Sequence, residues 1–215
     1  VAMRTLKQAL YYKHPYGWSF DEAIEYLKKM TLADVIAIHK QFVLPSHMVL
    51  SVAGDCDPAF VEQLVIQVAG DWKPGHYVAP VYPERQAPEK DSVVVPMLRD
   101  QVVLAFARPS AVTLYEPAHI ILDLLSHISF TSLGSYLYAL RERTGLFYNA
   151  SGSWGADIHQ EYGYDYICAI VSPENLEFAH KSIMEMVEEL KEGKFEEDEL
   201  AAARQMYCKE LIDAA

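Results

Sequence analysis

The stretch Gly134-Ser135-Tyr136-Leu137-Tyr138-Ala139-Leu140-Arg141-Glu142-Arg143-Thr144-Gly145-Leu146-Phe147-Tyr148-Asn149-Ala150-Ser151-Gly152-Ser153-Trp154 decides the reading of this chain. Leu133, Leu137 and Leu140 recur at i, i+4 and i+7, the spacing that gives a helix one apolar face, and Ser132 stands where an N-cap belongs. Gly145 suits the helix end, because a left-handed backbone costs glycine least. Phe147 to Trp154 is rich in aromatic and small residues and reads as a strand. A helix, a glycine stop and a strand hold Arg141 and Tyr148 near one corner. A guanidinium is a permanent cation with several donors and a phenol is a neutral donor, so the pair suits orienting a peptide carbonyl and stabilising an oxyanion. On the residues alone, the alternative is a solvated helix-end arginine and a half-buried strand tyrosine.

Working toward the N-terminus, Thr31 and Asp34 make a capping-box-like start to a helix through about Phe42, with Val35, Ile38 and Phe42 on one face and Pro45 beyond its end. Met48 to Ala53 reads as a short apolar strand, closed by Gly54 to Pro58, and Phe60 to Val68 as an amphipathic helix. Between Trp72 and Asp91 the composition turns to Pro, Gly, Tyr and charge, so residues 73–91 are expected to be a linker between residues 1–72 and 92–215. In the second part, Ser92 to Val95 and Gln101 to Ala107 read as two strands, Pro117 to Ser129 as an apolar helix and Tyr164 to Val171 as a strand. Ser172-Pro173 opens a helix with Leu176, Ala179, Ile183, Met186 or Val187, and Leu190 on its apolar side. Glu196 to Ala215 reads as a last helix bearing Leu200, Ala203, Tyr207 and Leu211. The expected fold class is α+β, an antiparallel sheet with helices packed on one face.

Three sets of residues resemble one known family. Gly134-Ser135, Leu140-Arg141-Glu142, Gly145-Leu146 and Tyr148 look like the Arg/Tyr element of the pitrilysin and insulinase type of zinc metallopeptidases, which include the mitochondrial processing peptidase. Thr31, Asp34-Val35, Phe42, Pro45, Met48, Leu50, Val52 and Gly54-Asp55 are similar to the end of that family's metal-bearing domain, and His14-Pro15-Tyr16-Gly17 sits where it often has an H-P-Y-G loop. The match departs at Tyr136, where relatives commonly carry arginine. The resemblance covers nearly the whole chain and implies a two-layer sandwich. Residues 1–72 would end the first, metal-bearing type of domain, and residues 92–215 would form the second, truncated at its C-terminus. It further implies that Arg141 and Tyr148 complete an active site on extended peptides whose zinc lies elsewhere, in the same chain or a partner subunit of a homo- or heterodimer. The family also contains partner subunits that have lost catalysis, and that alternative stays open, as does an unrelated α+β binding module.

The remaining features exclude chemistry more than they suggest it. That family binds zinc through H-x-x-E-H and a third carboxylate, and no such motif occurs among the eight histidines here, so no residue of this chain is expected to bind the metal. His119 and His127, eight residues apart, would place their backbones roughly 12 Å apart on a helix, too far for adjacent zinc ligands, and read as core-edge or surface histidines. Ser151 to Gly155 fails as a nucleophile elbow, and there is no phosphate-cradling glycine loop. Glu185, Glu188, Glu189, Glu192, Glu196 and Glu197 read as a solvated helix face. A formal charge of −12 argues against nucleic acid, which requires clustered cations. The composition, 51% hydrophobic and 22% charged, holds no run of about 18 uncharged apolar residues, so no membrane span is expected. Cys56, Cys168 and Cys208 form no C-x-x-C pair and read as packed thiols.

Overall fold

The computed structural model describes residues 1–88, 92–110, 112–132, 134–156 and 163–213. Its elements run α1 (Ala2–Leu10), α2 (Phe20–Lys29), α3 (Leu32–Phe42), α4 (Pro58–Ala69), β1 (Val102–Ser110), α5 (Ala118–Ser126), α6 (Tyr136–Thr144), β2 (Phe147–Ala156), β3 (Gly163–Val171), α7 (Leu176–Lys191) and α8 (Glu197–Asp213). They fall into two compact units, residues 18–84 and residues 1–17 with 85–215.

The larger unit is built on a three-stranded antiparallel sheet of order β1-β3-β2. A strand between two partners has both edges satisfied, so its burial is set by its faces alone. On one face of β3, Ile167, Ala169 and Val171 are buried with Leu137 and Leu140 of α6 and with Ala179, Ile183, Met186 and Leu190 of α7. These are the apolar positions expected of the helix after Ser172-Pro173. That helix, however, begins with a 3₁₀ turn at Pro173–Asn175, and Ser172 makes no capping bond. On the other face, Tyr164 packs with Leu10 and Tyr11 from α1 and its following turn, so residues 1–17 belong to this sheet. The fold is α+β, an antiparallel sheet whose main core lies under helices on one face.

Several local features differ from the sequence expectations. The N-cap of α6 is Ser135, whose Oγ accepts from the Tyr138 N–H at 3.3 Å. Ser132 instead closes a π-turn, His127–Thr131, that follows α5, and Leu133 lies outside the described residues. Ser92 to Val95 joins no ladder, and Val94 is 84% exposed. An apolar run records a tendency to be buried, and only a partner edge makes it a strand. Residues 118–144 are long and apolar enough to cross a membrane by length and composition. Extended backbone at Ser132 (ψ 156°) and Ser135 (ψ 154°) breaks them into pieces, each well short of a ~30 Å hydrocarbon core.

In the smaller unit, α2 and α3 each start with a complete capping box. Ser19 and Glu22 bond reciprocally, as do Thr31 and Asp34, the second as the sequence predicted. Asp57 caps α4 with Pro58 at its first position. Met48 to Ala53 forms no strand, because no ladder partner is present among residues 18–84, and Val49 is 93% exposed. The Pro-rich segment folds back locally. Ser46 Oγ donates to the Gly75 carbonyl at 3.0 Å, and Tyr77 lies 4.1 Å from His47, ring to ring. Residues 72–88 contain no helix or strand.

Two outcomes follow. Ile183 is fully buried in the main core, so Ile183→Ala is expected to cost about 2–5 kcal/mol in urea unfolding, whereas Met184→Ala on the outer side of the same helix stays within about 1 kcal/mol. In the capping boxes, the Ser19 N–H holds the Glu22 carboxyl, and the Thr31 hydroxyl and N–H hold that of Asp34, below the ordinary carboxylate range. A depressed folded pKa means stability present above the unfolded value and lost as pH falls through the folded one. The Ser19 and Thr31 amide proton shifts should therefore titrate at a pH below that of an unfolded carboxylate, and titration at or above it would contradict the boxes.

Candidate functional site

The corner between α6 and β2 is set by two buried anchors. Leu140 near the end of α6 and Phe147 at the start of β2 both enter the main core at 3% exposure, which forces the chain to reverse within the residues between them. Gly145 makes that reversal with φ +62°, ψ 13°, and its N–H donates to the Arg141 carbonyl at 2.8 Å. The helix end at Gly145 is as the sequence predicted. Arg141 follows one anchor and Tyr148 the other, so both are left outside: Arg141 is exposed in the last turn of α6, and Tyr148 is 81% exposed. Neither side chain makes a hydrogen bond or ion pair with another described residue.

Tyr148 occupies a special backbone position. Phe147 pairs with Val171 and Asn149 with Ile170, so Tyr148 is the extra residue of a β-bulge. A bulge bends the strand locally, and at this one Tyr148 projects while its neighbour Phe147 is buried. Sequence periodicity could not show this, since a bulge exists only relative to the partner strand.

The rest of β2 is held by side chains whose role the sequence did not signal. Ser126 Oγ accepts from the Trp154 N–H at 2.8 Å and lies 3.3 Å from its carbonyl, closing the edge groups of that residue. Trp154 Nε1 donates to the buried Ser129 Oγ at 2.9 Å. A second bulge lies between Ser153 and Ala156, where Gly155 at φ +79° donates its N–H to Asp165 Oδ1 at 2.9 Å. Asp165, 5% exposed, also accepts from Arg108 Nε at 2.7 Å, so this buried carboxylate is paired. Gly152 lies under the Phe130 ring, 2.7 Å from where a Cβ would sit.

His119 and His127 join a polar seam between α5 and α8. His119 Nε2 lies 3.5 Å from Asp123 Oδ2, which accepts from Tyr207 Oη at 3.2 Å, and His127 Nε2 lies 3.3 Å from Glu210 Oε2. Burial first, then Asp123, pushes the Tyr207 phenol up. His127 is buried at 6% exposure. The i, i+4 spacing of His119 and Asp123 was the available signal, and it describes a helix contact. His159 lies outside the described residues. Tyr136, at the start of α6, donates to the Lys194 carbonyl at 3.2 Å, and burial, then Glu199, Glu189 and Glu196, raises its pKa. Among the described residues no group of three or more His, Cys, Asp or Glu side chains could hold a metal ion. The zinc that the resemblance implies is expected from residues elsewhere, in the same polypeptide or a partner. Cys56 and Cys208 are exposed and Cys168 half-buried, where burial raises its thiol pKa.

Comparison with known proteins agrees with this fold. The profile of the Peptidase M16 inactive domain matches residues 29–207, and the chain belongs to the peptidase M16 family, as a segment of that pitrilysin-type family. Among solved structures, the peptidase M16 inactive domain from Pseudomonas fluorescens is similar at a TM-score of 0.82 and 22% identity, over 96% of this chain and 50% of that one. A protease from Helicobacter pylori is similar at 0.79 and 21%, over 97% and 51%. The chain thus spans about half the length of these relatives. No curated protein matches it.

The glycines of the corner give a direct check. Gly145→Ala is expected to destabilise by about 1–2 kcal/mol through its left-handed backbone, and Gly152→Ala by about 1–3 kcal/mol because Phe130 must move. Gly134→Ala, where a Cβ meets open space, should stay within about 0.5 kcal/mol in the same denaturant titration.

Proposed function

We propose that this chain is the substrate-positioning, oxyanion-stabilising half of a zinc-dependent endopeptidase acting on extended peptides. The observation that carries the proposal is the exposed corner: Arg141 in the last turn of α6 and Tyr148 in the bulge of β2 flank one glycine turn, with their side chains uncommitted to other described residues. A guanidinium and a phenol so placed donate hydrogen bonds to a substrate carbonyl oxygen and strengthen those bonds as negative charge grows there. Main-chain pairing along a sheet edge binds an extended peptide with little sequence preference. Ser126 closes that edge of β2 at Trp154, leaving the approach nearer Tyr148. The metal and the general base, carried by H-x-x-E-H in the resembling family, belong to residues outside this chain, in the same polypeptide or in a partner subunit. The chain by itself is inactive.

One observation favours a second reading. The matched family segment is described as an inactive domain. A non-catalytic partner or scaffold subunit has the same architecture. An H-x-x-E-H motif in the full-length parent supports the peptidase, and its absence from both parent and partner supports the scaffold.

The test is cleavage of quenched fluorescent peptides by the full-length parent, with its partner if the two are separate chains. Tyr148→Phe is expected to lower kcat/KM at least about tenfold, about 1.4 kcal/mol of transition-state stabilisation, and chelation to abolish cleavage. Cleavage unaffected by loss of the phenol would remove Tyr148 from the site.

A further inference from the structure

We propose that Thr144 is a positioning residue for the Arg141 and Tyr148 pair, an inference that rests on the peptidase reading above. Its hydroxyl donates to the Leu140 carbonyl at 2.6 Å and accepts a longer bond from the Leu146 N–H at 3.4 Å. One side chain thereby ties the last turn of α6 to the residue beyond Gly145. At a glycine-terminated helix the second residue after the end commonly returns its N–H to a helix carbonyl, which locks the exit direction of the chain. Here the Leu146 N–H reaches the Thr144 hydroxyl, so the lock is made by a side chain.

The consequence concerns geometry more than stability. Leu140 and Phe147 are fixed by the core, and Gly145 is the most freely rotating residue between them. The covalent path from the helix carrying Arg141 to the segment carrying Tyr148 runs through Thr144, Gly145 and Leu146, and Leu146 is itself buried in the main core. The bond to Leu140 holds the Thr144 side chain in one rotamer. The bond from Leu146 transfers that constraint across the glycine. A threonine in the last turn of a helix is otherwise a poor choice, because its hydroxyl competes for backbone carbonyls and bends the helix. At this position the competing bond is the useful one. Thr144 touches no substrate in this account and acts through the pair it orients.

The experiment compares wild type, Thr144→Val, Thr144→Ser and Tyr148→Phe in the full-length parent, measuring kcat and KM on an extended quenched peptide and the hydrogen exchange of the Leu146 amide. Valine keeps the branched shape and loses the hydroxyl, and serine keeps the hydroxyl. Thr144→Val is expected to lower kcat about tenfold with KM within about twofold, and Thr144→Ser to stay within about threefold of wild type. The Leu146 amide should exchange faster in the valine variant only. Thr144→Val with wild-type kcat, beside a Tyr148→Phe that has lost activity, overturns the positioning role and leaves the peptidase reading standing. Wild-type activity in Tyr148→Phe removes Tyr148 from the site, and with it the pair that Thr144 is proposed to orient, and no cleavage by the wild-type parent overturns the peptidase reading itself. Equal Leu146 exchange in all variants overturns the proposed tie whatever the activities are, so the structural claim is judged separately from the catalytic one.

Discussion

The left-handed turn at Gly145 is the constraint from which the rest of the corner follows. Leu140 and Phe147 must both enter one core, and the six residues between them allow no broad loop. A non-glycine residue at φ +62° would carry strain of about 1–2 kcal/mol, so the reversal selects glycine. Once both anchors are buried, the residues that follow them, Arg141 and Tyr148, are turned outward. Their exposure is a by-product of core packing.

The sheet supports this corner from behind. β3 takes hydrogen bonds from both neighbours and buries alternate residues under α6 and α7, which makes it the least adaptable strand. Strand β2 is fitted to it with a bulge at each end. The first inserts Tyr148, and the second is pinned by the paired carboxylate of Asp165. Between them Gly152 lets Phe130 approach the strand, while Ser126 and Ser129 fix Trp154.

Much of this was legible in the residues, and the parts that were not share a cause. The helix of Ala179, Ile183, Met186 and Leu190 could be read because its periodicity and its buried face coincide. The helix capped by Thr31 and Asp34 could be read because a capping box is local. Met48 to Ala53 and Ser92 to Val95 could not, since an apolar run becomes a strand only when a partner edge is present. Ser132 and Ser135 are both fit to cap a helix, and the π-turn after α5 decided between them. The Arg/Tyr element was recognisable through its family resemblance, and the family is shown by the match over residues 29–207. The bulge at Tyr148 and the hydroxyl bridge of Thr144 depend on register and rotamer, which no sequence pattern records.

The measurement that bears most directly on the corner as a working unit is a double-mutant cycle in the full-length parent, taking kcat/KM for wild type, Arg141→Gln, Tyr148→Phe and the double variant on one peptide. Two groups that bind the same developing charge act as a unit, so the double variant is expected to lose much less than the sum of the single losses, with a coupling of about 0.5–3 kcal/mol. Strictly additive losses, or a loss from only one of the two substitutions, would contradict a shared site at this corner.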